Sequence, residues 1–529
     1  MKAAAVAAGL LVLSTLVACG GSPPQIVDYS PERGAIDIST AAPIRISFDH
    51  DVDKRSVESR LSLLPVTNGA VEWLGPRSLE YKHATLQPST IYEVVLEAGY
   101  TDTAGNAYAL RHHWSFTTER PPSLAGSSPA NNESDVDPAS YLSMDFSREM
   151  DAASLASAIT IVPFVPFSVR LDPTDARRAV VAPDSLLDPS TTYTVEVGTA
   201  ALDAHGNQLD RDQSFVFNTG AARPLHHWVA FATALADGSS GGVWIVNESG
   251  FPRRLFDGPL VRSFSWSPEG SSLLVQTDPT SWSTYTPAGA STPLPFKAGW
   301  ASALGSGLGF VYIDIAGALH RWSTDGVDEV IATNVSQAAT APGGMRVVFV
   351  RPTGTTSTVW GYDVGLRSQY ELATETGPVS DLSWSPAGNR IAYLRADPSS
   401  TTLRVRSLTG TGSITTVANG DLGHPTWLPD STHVVFAATI ATSTGAASKA
   451  FLVNVVAPPA TLTAALAIPA TSPLEVADPV PSPDGHQFAF VSQDQVWIMN
   501  ADGTRPTALT RFDAASFPYS CRMPAWTRS

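Results

Sequence analysis

Between Val480 and Thr510 the chain runs Val-Pro-Ser-Pro-Asp-Gly-His-Gln-Phe-Ala-Phe-Val, then Gln-Val-Trp-Ile-Met-Asn-Ala-Asp-Gly, then Thr-Ala-Leu-Thr. Short apolar runs are cut at Pro-Asp-Gly, Ser-Gln-Asp and Asp-Gly. Asp and Gly supply the dihedrals that let a strand double back, and Phe488, Phe490, Val496, Trp497 and Ile498 supply the bulk that suits a pleated surface. The pattern predicts one small antiparallel sheet. A lone sheet of this size leaves apolar surface uncovered on both faces, and the chain answers by repeating it. Ser265-Trp266-Ser267-Pro268-Glu269-Gly270 precedes Leu273-Leu274-Val275, and Ala341-Pro342-Gly343-Gly344 precedes Val347-Val348-Phe349. Ser383-Trp384-Ser385-Pro386-Ala387-Gly388 precedes Ile391-Ala392-Tyr393, Thr426-Trp427-Leu428-Pro429-Asp430 precedes Val434-Val435-Phe436, and a degenerate copy lies near Ala303 to Ile313. The copies recur at about 40 to 50 residues, the interval of four-stranded propeller blades.

His226 to Phe231 reads as a second strand lacking a first, and Met523-Pro524-Ala525-Trp526-Thr527 as a first strand lacking a second. Joined, they make one composite blade, seven blades in all with the six copies. Such closure removes the exposed sheet edges a linear stack would keep.

An earlier pattern has a longer period. Residues 29–119 and 127–219 carry the same landmarks in order: Tyr29-Ser30-Pro31 and Ser127-Ser128-Pro129, then the alternating runs Ile44 to Phe48 and Leu142 to Phe146. Leu86 to Tyr92 matches Leu187 to Tyr193, Asp102 to Asn106 matches Asp203 to Asn207, and Trp114 to Thr118 matches Phe215 to Thr219. Repeats of about 100 residues built from short alternating strands predict immunoglobulin-like sandwiches. The expected fold is therefore all-β, with sandwiches at 27–120 and 121–220 and a propeller over 221–529.

These landmarks resemble the bacterial Ig-like domain first known from surface-layer proteins, which implies spacer or adhesive modules without catalysis. The Trp-Ser-Pro-x-Gly phrase followed by a strand like Ile391-Ala392-Tyr393 resembles the WD40-like repeat of the TolB family. That family's namesake carries an α/β N-terminal domain, whereas here the Ig-like repeats stand in front of the propeller.

Residues 1–19 change the expected address. Met1-Lys2 is followed by an apolar run, shorter than a membrane span, that ends Leu16-Val17-Ala18-Cys19-Gly20 and has the form of a signal-peptide core. The ending resembles the bacterial lipobox, which implies acylation of Cys19 and attachment to the membrane through an N-terminal lipid. Residues 20–26 then form a tether. The resemblance places an Asp after the cysteine for inner-membrane retention. Gly20 stands there, so the outer membrane or cell surface is expected in a diderm cell.

Charge and cysteine content narrow the partners. Lys and Arg number 33 against 49 Asp and Glu, a net charge of −16, which excludes the basic footprint nucleic acid requires. The expected partner is a protein or a cell-wall polymer. With two cysteines, Cys19 and Cys521, no disulfide or Cys-rich metal framework is expected.

No phosphate-binding loop, His-Glu-x-x-His or Gly-x-Ser-x-Gly nucleophile elbow, which is a strand-to-helix turn, is read in the sequence, so no cofactor and no catalytic residues are expected. Asp49, Asp51 and Asp53 read either as a calcium-type loop or as a solvated turn. His112-His113 and His226-His227 each read as the start of a strand, where neighbours point to opposite faces and cannot easily chelate one metal. One constellation converges. Three residues before the Trp position of each inner strand stand Ser263, Gln337, Asp381, His424, Asp478 and Met523. In a closed propeller these face the axis, where Gln337, Asp381, His424 and Asp478 would either ring a cation or polar ligand or line a hydrated mouth. The expected function is a lipid-anchored envelope binding or scaffold protein. The alternatives are a TolB-like maintenance factor, or a propeller enzyme acting on glycans or peptides.

Overall fold

The computed structural model describes residues 22–527 except 224, 236, 259, 288, 306, 410–413, 444 and 513–518. Cys19 and the leader lie outside the described residues.

Each Ig-like repeat is two packed sheets. In domain 1, strands Ile26–Ser30, Ile44–Phe48, Ser78–His83 and Gly69–Trp73 form one sheet, and Leu61–Leu64, Ile91–Leu96 and His112–Thr117 the other. Domain 2 repeats this with Leu142–Phe146 in one sheet and Thr192–Val197 and Gln213–Thr219 in the other. Ile44, Ile46 and Phe48 are buried and alternate with Arg45 and Ser47. The same alternation buries Leu142, Met144 and Phe146, as the period of two requires. The Asp-x-x-Gly-Asn segments are turns closed by their own aspartate. Asp102 Oδ1 accepts the N–H groups of Ala104 and Asn106, and Asp203 Oδ1 those of His205 and Asn207.

The three aspartates at the end of strand Ile44–Phe48 do not form a cation loop, because each has a separate task. Asp49 accepts the Gln25 N–H, Asp51 pairs with Arg77 at 2.6 Å, and Asp53 caps the short helix Lys54–Glu58 through the Ser56 N–H. Asp151 caps Ala152–Ala158 in domain 2 through Ser154 in the same way. A carboxylate at this position satisfies an N–H that the first helical turn leaves orphaned.

Beyond residue 228, seven sheets succeed one another among the described residues. The first is composite, in the order Arg253–Gly258, Gly241–Val246, Val229–Leu235, Tyr519–Trp526. Val229 lies opposite Trp526 and Leu235 opposite Tyr519, so the last strand of the chain completes the sheet that opens after domain 2. The inner strands of neighbouring sheets touch in turn, from Ala298–Ala303 through Gln337–Thr340, Val379–Trp384, Thr426–Trp427, Ala477–Pro481 and Tyr519–Trp526 to Ser263–Trp266, and Leu273–Gln276, next in the sheet to Ser263–Trp266, meets Ala298–Ala303 to complete the circuit. The ring is closed. We number these blades 1 to 7 in chain order, starting from the composite sheet.

The repeated tryptophan binds one blade to the one before it. Trp384 Nε1 donates to Ala339 O, Trp427 Nε1 to Ser383 O and Trp526 Nε1 to Val480 O, each at 3.1 Å. A buried indole needs such an acceptor. Trp266 Nε1 is buried and has none among the described residues. Blade 6 has three strands, Thr426–Trp427, His433–Thr442 and Gly445–Asn454. A segment with a 3-10 turn at Leu462–Ala465 follows, and Leu466 bridges Phe451. Buried Lys449 holds the segment's far end by donating to Ser472 O and Leu474 O.

Both interdomain joints are buried and polar. Between the sandwiches, Glu119 is 2% exposed. It accepts from Arg148 Nη1 at 2.9 Å, His205 Nδ1 at 2.8 Å, Asn207 Nδ2 at 3.0 Å and Thr40 N at 3.1 Å. Between domain 2 and blade 1, the fully buried Arg253 donates to Ser140 O and lies 4.1 Å from the Tyr141 ring centroid. The Tyr141 hydroxyl donates to Phe251 O at 3.0 Å.

Candidate ligand site at the propeller axis

One main-chain hydrogen bond recurs in every blade and sets the register. The N–H following the Trp position donates to the start of the next strand: Ser267 to Ser272, Leu304 to Gly309, Ala341 to Arg346, Ser385 to Arg390, Leu428 to His433, Ser482 to Gln487, and Thr527 to Trp228. Counting back four residues from each donor gives Ser263, Trp300, Gln337, Asp381, His424, Asp478 and Met523. Six of these are the residues expected at the axis. The seventh, Trp300, was missed because blade 3 has Ala303-Leu304-Gly305 where blades 2 and 5 have Trp-Ser-Pro and blades 4, 6 and 7 keep at least the proline. The available signal was a count of three back from Ala303 in the degenerate copy.

The structure brings five of the seven together. Ser263, Trp300, Gln337, Asp381 and His424, from blades 2 to 6, line one cavity of about 420 Å³. Asp478 is exposed outside that cavity and is not hydrogen-bonded to the other ring residues, so the expected carboxylate pair does not converge. Met523 packs beside the core of blade 1.

Asp381 is the centre of the polar side. It sits at φ 55°, where the pairing of its strand slips between Ser380 and Ser383. Asp tolerates this left-handed conformation better than most residues, and such bulges re-aim side chains. The Asp381 N–H donates to Gln337 Oε1 at 2.8 Å, Ser380 Oγ donates to Asp381 Oδ2 at 2.7 Å, and His424 Nδ1 lies 3.1 Å from Asp381 Oδ1. The His424 hydrogen bond, with that of Ser380, holds the Asp381 carboxyl below the ordinary carboxylate range. An amide, a carboxylate and an imidazole from three successive blades are thus one connected chain. Beyond it, Ser302 and Thr340 share a 2.7 Å hydroxyl–hydroxyl hydrogen bond on the cavity wall.

The opposite end of the inner strands has a different chemistry. Pro268, Pro342, Pro386, Pro429 and Pro483 rim a funnel of about 640 Å³ with Trp266, Trp427 and Trp526. A third cavity, about 470 Å³ at the seam of blades 7 and 1, is lined by His226, His227, Asp484, His486 and Glu248 among others. Here the alternation argument for His226-His227 fails. The strand begins at Val229, both histidines precede it, His227 has φ 57°, and both reach the same cavity. His112-His113 behaves as expected: His112 stacks on Tyr108, and His113 meets Glu93 on the other face.

Among the described residues, one group of His, Asp and Glu has its ligand atoms within 4.8 Å of one another: Glu119, Asp203 and His205. It does not fit a cation. Glu119 already accepts from four donors, and the Arg148 guanidinium occupies one side of it. The group is a joint between domains.

The architecture defines a propeller carried on paired Ig-like sandwiches. Residues 21–118 and 119–219 match the family model of the bacterial Ig-like domain, so the N-terminal part holds two tandem copies of it. No curated protein matches the chain. Among solved structures, the chain is similar to TolB from Acinetobacter baumannii, with 12% identity and a TM-score of 0.38, covering 70% of this chain and 83% of that one. It is also similar to the Cps50 (Swd1) β-propeller domain of Myceliophteria thermophila, with 11% identity and a TM-score of 0.37, over 51% of this chain and 96% of that one. For hydrazine synthase of Kuenenia stuttgartiensis the values are 12% and 0.35, over 52% and 93%. The propeller assignment rests on the seven sheets and their closure. No described helix is long and apolar enough to cross a membrane.

Proposed function

We propose that this chain is an exported, lipid-anchored binding protein of the cell envelope, whose Ig-like pair holds the propeller away from the membrane. The observation that carries the reading is the pairing of two buried interdomain joints with an open polar cavity at the propeller axis. Buried joints suit a spacer that fixes the orientation of what it carries, whereas interdomain contacts within one chain are otherwise expected to let domains move. The anchor rests on the Cys19 sequence context alone.

Binding rather than catalysis is the favoured reading of the axis. Carboxylate-based glycoside hydrolysis uses two acids facing one bond. Asp381 is in the axial cavity, and Asp478 is exposed outside it.

The test is affinity purification of the full chain from its native membrane, followed by mass spectrometry, beside the Cys19→Ser variant. A reproducible envelope partner together with release of the variant from membranes is expected. Membrane retention of Cys19→Ser would refute the anchor, and absence of any enriched partner or polymer would refute the platform.

A further inference from the structure

We infer that the axial cavity is a saccharide subsite, with Trp300 as the stacking face and the Gln337–Asp381–His424 chain as the hydroxyl-reading edge. This rests on the binding reading above and names the chemistry of its ligand.

The lining excludes other classes in turn. It contains no Lys or Arg, so an anion would meet Asp381 without a compensating charge. A divalent cation takes six or more oxygen ligands or several imidazoles and carboxylates, whereas this cavity offers one carboxylate already bonded to a hydroxyl and an imidazole. An ammonium group could use the indole face and Asp381, but it is a donor only. Gln337 Oε1 is committed to the Asp381 N–H, which leaves the Gln337 Nε2 donors to seek an acceptor, and an ammonium has none.

A pyranose answers every feature. Its hydroxyls both donate and accept, so one can donate to Asp381 while its neighbour accepts from Gln337 Nε2. The Ser302–Thr340 hydroxyl pair, also on the wall, can extend the network. The apolar C–H face of the ring covers the half-buried Trp300 indole, whose inner side is seated on the core between blades 3 and 4. An aromatic platform beside a few convergent polar groups is the usual make-up of a small-molecule site, and about 420 Å³ lies in the usual range of about 300–1,000 Å³. The ligand assigned is therefore a neutral pyranoside, free or as the terminal unit of a glycan.

The experiment is saturation-transfer NMR and calorimetry on the full detergent-solubilised chain. The panel holds neutral disaccharides, including cellobiose, maltose and the N-acetylglucosamine dimer, with tetramethylammonium and ethanolamine as a second arm. At least one saccharide is expected to bind. Trp300→Ala and Asp381→Asn should each weaken it about tenfold or more, with Trp300→Phe retaining part of the affinity and Asp478→Asn retaining all of it. Asn tolerates the left-handed backbone at position 381, so Asp381→Asn should keep the fold, and its thermal unfolding is recorded alongside. Binding by the ammonium arm alone would overturn the assignment. So would no saccharide binding, or binding undiminished in both Trp300→Ala and Asp381→Asn. A protein partner still captured by Trp300→Ala would leave the platform reading standing while the saccharide assignment fell.

Discussion

Glu119→Ala should loosen the joint between the two sandwiches while leaving each sandwich folded. The main chain of Glu119 is held independently of its side chain: its N–H donates to Ile38 O and its carbonyl accepts from Ser89, each at 2.8 Å. What is lost is the carboxylate. The N–H of fully buried Thr40 loses its side-chain acceptor, at a cost of about 1–3 kcal/mol. Arg148 loses its partner at 2.9 Å, but its side chain is 22% exposed, and it retains Asp37 and the Arg120 carbonyl. That retention keeps the second loss at or below the lower end of the roughly 3–5 kcal/mol seen when one member of a buried pair is removed. The two losses overlap, and together they come to about 3 kcal/mol. Asn207 keeps Asp203 Oδ2 and the Thr40 hydroxyl, so the contact weakens without vanishing. Small-angle scattering of the full chain should show a broader distribution of interdomain distances. A double-mutant cycle with Arg148→Gln should show coupling between the two sites, read from the domain 1 and 2 unfolding transition. A stability loss below about 1 kcal/mol with an unchanged scattering profile would mean that Glu119 behaves as a surface ion pair, and the joint would not be what orients the domains.

Other substitutions test the propeller and its seat. Trp427→Phe leaves Ser383 O without its donor and should cost more than Trp266→Phe, whose indole N–H has no described partner to lose. A difference of about 1 kcal/mol in chemical denaturation is expected, and equal losses would refute the interblade role. Arg253→Met should be close to neutral, because burial already penalises the guanidinium and its Nε and Nη1 have no partners, whereas Arg253→Ala should cost about 3 kcal/mol through the cavity it opens. Thermal unfolding of both variants checks the order. Burial pushes the Cys521 thiol up to about 12 from 9.0. A thiol reagent at pH 8 should therefore leave it unmodified in the folded chain and label it in denaturant. The raised pKa of the folded thiol also means that its stabilising contribution is complete below pH 9 and is lost as pH rises toward 12. Rapid native labelling, by peptide mapping, would contradict the burial.

Local chemistry was enough to read the repeat units. The Ser-Pro-x-Gly turns, the alternating strands and the Asp-x-x-Gly-Asn turns depend on residues within a few positions of one another, and each formed as its residues dictate. The incomplete runs at His226 and Met523 also announced the ring closure, because a strand with no sequence neighbour must find its partner elsewhere. Where blades meet, the repeat register placed Gln337, Asp381 and His424 on one axis, but other meetings of blades and domains were not legible. Trp300 joins Asp381 and His424 only because blade 3 keeps the register of the others without their motif. His226 and His227 share a cavity with His486 because ring closure sets blade 1 beside blade 7. Glu119 becomes a joint only when Arg148 and His205 of the next domain are folded against it. In each case the interacting residues lie tens to hundreds of positions apart, and what unites them is their height and angle around a common axis or interface, which the closed tertiary structure sets and no local pattern records.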